Sequence, residues 1–291
     1  MKLQIARRGF LQIGGVALTG AAMSSLTSPL PKAAAAESGN RIKKAVGWDM
    51  IREDISVADK LRLVKDVGFE GVEVNSRLLK AGGVEPKELA RASEKIGIPI
   101  HGVSGASNGD LKAILDEAAI YGATSILHVV RSDPNGSYLE NYRRSQEAIR
   151  AAIPHAEKLR IPILVENVWA TFLIEPLTMA RYIDELGSPF VKSYFDVGNV
   201  MRWGVPQHWI EVLGQRIGKI HVKEYSLKTA MSQGMIKGFD FPMGHGDIDW
   251  KRVREGLKQV GFHSWATAEV PGGDRGRLAE ISAEVSKILA I

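Results

Sequence analysis

Eight short apolar runs alternate with segments of helical period, and that alternation limits the fold more than any other feature of the chain. The runs cover residues 45–50, 71–74, 98–103, 125–130, 161–167, 191–199, 217–223 and 265–270. Most are apolar in both phases of a period-two strand, as a parallel sheet covered by helices requires. Helical patterning predicts helices over 57–67, 85–96, 111–121, 141–159, 177–186, 207–213, 250–260 and 277–289. Ser56 stands where a first helix cap is needed, and Gly68, Gly97 and Gly122 stand where helices stop. Repeated strand–helix units close most simply into an α/β fold of the (β/α)8 barrel type. A chain of 291 residues with 45% hydrophobic content suits one such barrel. One connection, 224–249, exceeds the usual length, and its glycines at 234, 238, 244 and 246 mark it as an expected lid.

The formal charge of +5 divides unevenly along the chain. Lys2, Arg7, Arg8 and Lys32 fall within the first 36 residues, which hold no acid, leaving 34 basic against 33 acidic side chains elsewhere. No long basic stripe remains for a nucleic-acid backbone, so that class of partner is excluded. Arg7-Arg8 precede a mildly apolar stretch over 13–26, then Pro29, Pro31 and the run Ala33 to Ala36. The pattern resembles a twin-arginine export signal over 1–36, with a mature domain over 37–291, export machinery as partner and the periplasm as destination. A stretch of about 14 weakly apolar residues is too short to span a bilayer comfortably, so no stable membrane insertion is expected. Absence of cysteine excludes disulfides.

Four runs end in side chains that bind metals: Glu166, Asp196, His221 and Glu269. On a parallel barrel the C-terminal strand ends converge on one mouth, so three carboxylates and an imidazole surround a common point. Such a set suits a hard or borderline divalent ion and is costly without one. The motifs Glu-Asn at 166–167, Asp-Val-Gly-Asn at 196–199, His-Val-Lys at 221–223, Pro-Met-Gly-His-Gly-Asp-Ile-Asp-Trp at 242–250 and Ala-Glu-Val at 268–270 occur in that order. Together they resemble the xylose isomerase-like TIM-barrel superfamily of sugar isomerases, ketose 3-epimerases, inosose dehydratases and apurinic endonucleases. The resemblance covers roughly 43–290. It implies that Glu166, Asp196, His221 and Glu269 bind one divalent ion, manganese first, with zinc, cobalt or magnesium as alternatives. It also implies that Glu166 and Glu269 exchange a proton with the substrate.

Departures from that family narrow the substrate. Asn199 stands where many members carry histidine, as in a pentulose-phosphate epimerase branch with Asp-x-Gly-Asn. Phe172 and Leu227 replace an acidic and a basic residue of free-ketose epimerases, which points away from a ketohexose 3-epimerase. Glu73 closes the second run, either lining the pocket or sitting on its rim, and Asn199 can bond a hydroxyl. Lys223 shares the inward phase of His221, so it either neutralises an enediolate oxygen or forms a salt bridge to the ligands. His128 is a pocket candidate near the fourth strand end. Trp169, with Trp48 and Trp203, could offer a surface for a sugar ring. His245 lies in the long connection. No glycine-rich phosphate cradle or arginine cluster is visible at the loops, and export disfavours phosphorylated sugars.

The expected function is therefore a metal-dependent isomerase or epimerase, or a related lyase, working through an enediolate of a non-phosphorylated sugar or keto-sugar. The alternative is a periplasmic protein that binds sugar and metal without catalysis. Homo-oligomer formation is left open.

Overall fold

The computed structural model describes residues 41–105, 110–169 and 172–291, so the segment 1–36, expected to be an export signal, lies outside the described residues. Within them eight strands form a closed parallel barrel in sequential order, with β8 returning to pair with β1. The strands are β1 Lys43–Gly47, β2 Gly71–Asn75, β3 Ile100–Ser104, β4 Ile126–His128, β5 Ile163–Glu166, β6 Val191–Asp196, β7 Ile217–Val222 and β8 Trp265–Ala268. The principal helices are α1 Val57–Asp66, α3 Pro86–Ile96, α4 Leu111–Tyr121, α5 Tyr138–Leu159, α6 Pro176–Asp184, α8 Pro206–Leu213, α10 Trp250–Gln259 and α11 Arg275–Leu289. Ser56 caps α1 by accepting from the Asp59 N–H, and Gly97 and Gly122 end α3 and α4 in the left-handed region. None of the described helices is long and apolar enough to cross a membrane.

Period two decides which side chains meet inside the barrel. Val72, Val165, Phe195, Ile220, Val222 and Ala266 point outward and pack with the helices in one core. Leu127, Leu164 and Tyr194 form a separate cluster with Val129 inside the barrel. His128 lies between two inward residues, Leu127 and Val129, and pairs with outward-facing Val165. It therefore faces the helix layer, which corrects its expected place in the pocket. A bulge in β3, where Val72 pairs with Ile100 but Glu73 with Gly102, turns His101 inward. There its ring stacks on Trp265 at 4.6 Å, and its Nε2 lies 3.0 Å from Thr267 Oγ1.

Three short helices escape the sequence pattern: α2 Ser76–Ala81, α7 Val197–Val200 and α9 Leu227–Gln233. The first two open directly from strand ends, with Asn75 accepting from the Leu78 N–H and Asp196 from the Asn199 N–H, and they are too short to show a period. The expected strand over 45–50 instead ends at Gly47 and turns through a 3-10 segment, Trp48–Met50. The connection 224–249 is a packed excursion rather than a bare loop, carrying α9 and a 3-10 turn at Met235–Phe239. The almost fully buried Glu224 holds it. Its Oε2 accepts from the Gly244 N–H at 2.6 Å and the Trp250 indole N–H at 2.9 Å, and its Oε1 from the Tyr225 and Ile248 N–H groups. The excursion delivers Phe239 to the ring of Trp169, 5.2 Å away, and to within 5.3 Å of Lys223 Nζ.

Candidate metal centre

Glu166 ends β5, Asp196 ends β6, His221 lies one residue before the end of β7, and Glu269 follows β8. One ligand atom from each lies within 4.8 Å of all the others. His221 Nδ1 is 3.1 Å from Glu166 Oε1, 3.3 Å from Glu269 Oε2 and 3.8 Å from Asp196 Oδ2. Its other nitrogen, Nε2, lies 3.2 Å from Glu73 Oε1. Glu73 Oε2 accepts in turn from the Tyr194 hydroxyl at 2.5 Å, and that hydroxyl lies 3.0 Å from Thr267 Oγ1. A carboxylate on Nε2–H fixes the tautomer and leaves Nδ1 to face the cluster, the usual arrangement behind a metal-binding histidine. Glu73 thus has both oxygens engaged in bracing His221.

The charge within the cluster is unbalanced. Burial raises Asp196 to about 7, with Lys223 acting against that rise. Burial also raises Glu166, opposed by its hydrogen bond to His221. At Glu269 burial acts upward, but the charges of Lys223 and His221 outweigh it and hold the carboxyl well below its usual range; about half of this side chain (49%) reaches solvent. Burial opposes protonation of His221, yet the surrounding acids raise it well above the ordinary histidine value. Lys223 Nζ completes the compensation, 2.7 Å from Asp196 Oδ2 and 2.5 Å from Glu269 Oε2. Its contact with Asp196 Oδ2 is an ion pair without hydrogen-bond geometry, so that deeply buried oxygen lacks a hydrogen-bond donor. Three acids and an imidazole drawing in a proton and an ammonium group fit a divalent cation, which would satisfy Asp196 Oδ2 and displace the His221 proton.

The remaining expected site residues divide between bracing and pocket. Lys223 makes the salt bridge to the ligands, and Gly198 makes room for it: a Cβ there would lie 2.3 Å from Lys223 Cγ. Asn199 is a brace. Its N–H donates to Asp196 Oδ1 at 2.7 Å and its Nδ2 to Asn167 O, while its Oδ1 lies 3.4 Å from Lys223 Nζ. Trp169 donates its indole N–H to Asn199 O, stacks on Phe239 and carries the Arg202 guanidinium 4.6 Å from its ring centre. The cavity below the mouth, about 260 Å³, is lined by Glu73, Asn75, Arg77, Leu127, Arg131, Glu166, His221, Thr267 and Glu269 among others. No tryptophan is among its described lining residues, and the exposed His245 is not one of them.

Several residues of this site were not anticipated. Asn167 ties two ligand strands together, with Nδ2 donating to Asp196 O at 2.9 Å and Oδ1 accepting from the Asp196 N–H at 2.8 Å. Leu164, Tyr194, Lys219 and Thr267 form a layer directly below the ligands, each two residues before one of them. The period-two rule applied backwards from the ligands would have found that layer. Burial lowers Lys219 to about 7, and its ammonium hydrogen-bonds His101 O. Arg77 and Arg131 correct the expectation that no arginines gather at the loops: they follow different strands, so only closure of the barrel brings them to one cavity.

The barrel and its ring of strand-end acids define a class, and the family model of the xylose isomerase-like TIM barrel matches residues 61–289. The chain belongs to this family. Among curated relatives, SgbU of Escherichia coli K12, named provisionally as an L-ribulose-5-phosphate 3-epimerase, is 23% identical over 239 residues, 73% of this chain and 82% of the relative. L-Ribulose-5-phosphate 3-epimerase UlaE of Shigella flexneri is 22% identical over 259 residues, 80% of this chain and 84% of its own. Among solved structures, 3-keto-D-glucoside 4-epimerase YcjR from E. coli superposes with a TM-score of 0.69 at 16% identity, covering 86% of this chain and 100% of that one. The IOLI protein, solved with a bound zinc atom, gives 0.69 at 15% identity and covers 86% and 98%.

Proposed function

We propose that the protein is a sugar isomerase or epimerase that uses one divalent ion and acts through an enediolate. The observation that carries this reading is the convergence of Glu166, Asp196, His221 Nδ1 and Glu269, of which Glu166, His221 and Glu269 line a cavity of monosaccharide scale. The names of the curated relatives, which are sugar epimerases, favour the same class. When bound, the ion supplies Lewis-acid polarisation of a substrate carbonyl. Glu166 and Glu269 come from strands three places apart in the closed order, so they approach the substrate from different directions. One takes the proton from the carbon beside the carbonyl, and the other returns it. Return to the opposite face gives epimerisation, return to the neighbouring carbon gives isomerisation, and loss of a β-substituent gives the lyase outcome. Glu73 holds the His221 tautomer throughout.

Manganese is the expected ion, since a protein that folds in the cytoplasm before export loads its metal away from the copper and zinc that compete more strongly. This rests on the Arg7-Arg8 signal and periplasmic delivery, which also favour an unphosphorylated sugar. Replacing both arginines with lysine should retain the precursor in the cytoplasm; unaltered periplasmic delivery would remove the export reading.

The test of activity is uptake of solvent deuterium by a panel of keto-sugars and 3-keto-glycosides in the manganese-loaded protein. Glu166→Gln and Glu269→Gln should each slow exchange by about a hundredfold or more. Asp196→Asn should act through metal loss and recover in part with excess manganese. Full exchange in both glutamine variants refutes the proton-transfer roles, and metal-dependent sugar binding without any exchange favours the non-catalytic binding protein.

A further inference from the structure

The cavity has an end that the proton-transfer reading leaves unused. Arg77, in the first turn of α2, and Arg131, three residues beyond β4, line the same cavity of about 260 Å³ as Glu166, His221 and Glu269. Neither guanidinium has a hydrogen bond or ion pair within the described residues. The wall beside Arg77 is tightly built. Gly105, at φ 101°, comes so close to the start of α2 that a Cβ would lie 3.3 Å from Asn75 Oδ1 and 3.6 Å from the Arg77 backbone nitrogen. The acids lining the cavity are Asp49, Glu73, Glu166 and Glu269. Glu73 is committed to His221 and Tyr194, and Glu166 and Glu269 to the ligand cluster, which among the described lining residues leaves Asp49 as the one acid free to offset two guanidinium charges.

We infer that the substrate is anionic, and that Arg77 and Arg131 hold its charged group while its carbonyl end faces the four ligands. This rests on the sugar-enzyme reading above and names the substrate class. Hydroxyl groups of a neutral sugar need no guanidinium. Two unpaired guanidiniums at one small cavity repel each other, and a planar carboxylate or a phosphate relieves that repulsion through charge-assisted, fork-shaped hydrogen bonds. The cavity lies just below the range of about 300–1,000 Å³ typical of drug-sized ligands, which limits the occupant to one small sugar. Carboxylate and phosphate share this chemistry. An exported protein meets the carboxylate of a sugar acid, and that is the expected source.

Calorimetric binding of gluconate, sorbitol and sorbitol 6-phosphate to the manganese-loaded full chain separates the cases, because none of the three has the aldehyde or ketone that the proposed proton transfer requires. Gluconate should bind about tenfold or more tightly than sorbitol, and the double variant R77Q/R131Q should lose that preference by a similar factor. Because the variant keeps every metal ligand, its loss of preference distinguishes the arginine site from direct chelation of gluconate by manganese. Tighter binding of sorbitol 6-phosphate, lost in the same variant, supports the anion site and assigns it to a phosphate ester. Binding of neither anion more tightly than sorbitol, retention of the anion preference in the double variant, or no binding of any probe at concentrations on the order of millimolar overturns the proposal. Anion preference without deuterium exchange on any sugar would sink the enzyme reading alone, whereas exchange without anion preference would sink this one alone.

Discussion

Removing the charge of Glu73 should weaken the metal site while leaving every first-contact ligand in place. His221 reaches the cluster through Nδ1 because Nε2 is held 3.2 Å from Glu73 Oε1, and Glu73 is itself held by Tyr194 at 2.5 Å. Glu73→Gln keeps the shape and loses the anion; Tyr194→Phe keeps the anion and loses its donor. Outer partners of metal-binding histidines are worth about 10–100-fold in affinity, so Glu73→Gln should raise the manganese Kd by about that factor. Tyr194→Phe should fall near the lower end, because Thr267 Oγ1, 3.0 Å from the Tyr194 hydroxyl in the native protein, can turn toward the freed carboxylate oxygen. A readout independent of catalysis follows from linkage. Manganese at about 100 times the wild-type Kd stabilises the fold by about 2.7 kcal/mol, and a site tenfold weaker gains about 1.4 kcal/mol. At about 2–4 °C per kcal/mol, the manganese-induced rise in Tm should shrink by roughly 3–5 °C in Glu73→Gln. Direct manganese titration checks the same number. A wild-type Kd and an undiminished Tm rise in Glu73→Gln would show that the Glu73–Tyr194 chain does not position His221.

Three further outcomes follow from the structure. Burial holds His101 neutral, well below its ordinary value, so its contribution is fully present above about pH 6.5 and is lost as pH falls; wild type should lose about 1.4 kcal/mol per pH unit below that point relative to His101→Gln, and parallel denaturant-midpoint curves between pH 7 and 5 would refute it. Glu224→Ala leaves three backbone N–H groups and the Trp250 indole N–H without their acceptor, so we expect a loss of about 4 kcal/mol and preferential proteolysis within 224–249; cleavage at the wild-type rate would deny the carboxylate its clamping role. Gly198→Ala places a Cβ 2.3 Å from Lys223 Cγ, so it should displace that lysine from Asp196 and Glu269 and change manganese affinity; a crystal structure of the variant with Lys223 unmoved would contradict this.

The barrel was legible because each strand carries its signal locally: an apolar run bounded by helix caps and glycine stops needs no distant partner to be read. The four residues of the candidate metal cluster were legible for the same reason, as ionisable groups at the ends of such runs. Their supporting layer was hidden because Tyr194, Lys219 and Thr267 look like ordinary strand residues until the barrel closes and puts them beneath one mouth. His128 shows the converse: a conspicuous residue at the right strand end falls on the outward phase, fixed by its pairing with Val165. Asn199 and Trp169 looked suited to a sugar, yet their polar groups are taken by Asn167, Asp196 and each other.

By itself the sequence determined the order and type of the elements, the acids and imidazole able to hold an ion, and the glycines where the chain turns. These are local properties, set by side-chain periodicity and backbone conformation over a few residues. Tertiary structure alone decided which His221 nitrogen faces the cluster, that Lys223 bridges Asp196 and Glu269, that Glu224 fastens a long excursion, and that Arg77 and Arg131 share a cavity. Each joins residues from different strands or loops, and the bulge at His101 and the register of barrel closure are fixed only when all eight strands pair at once.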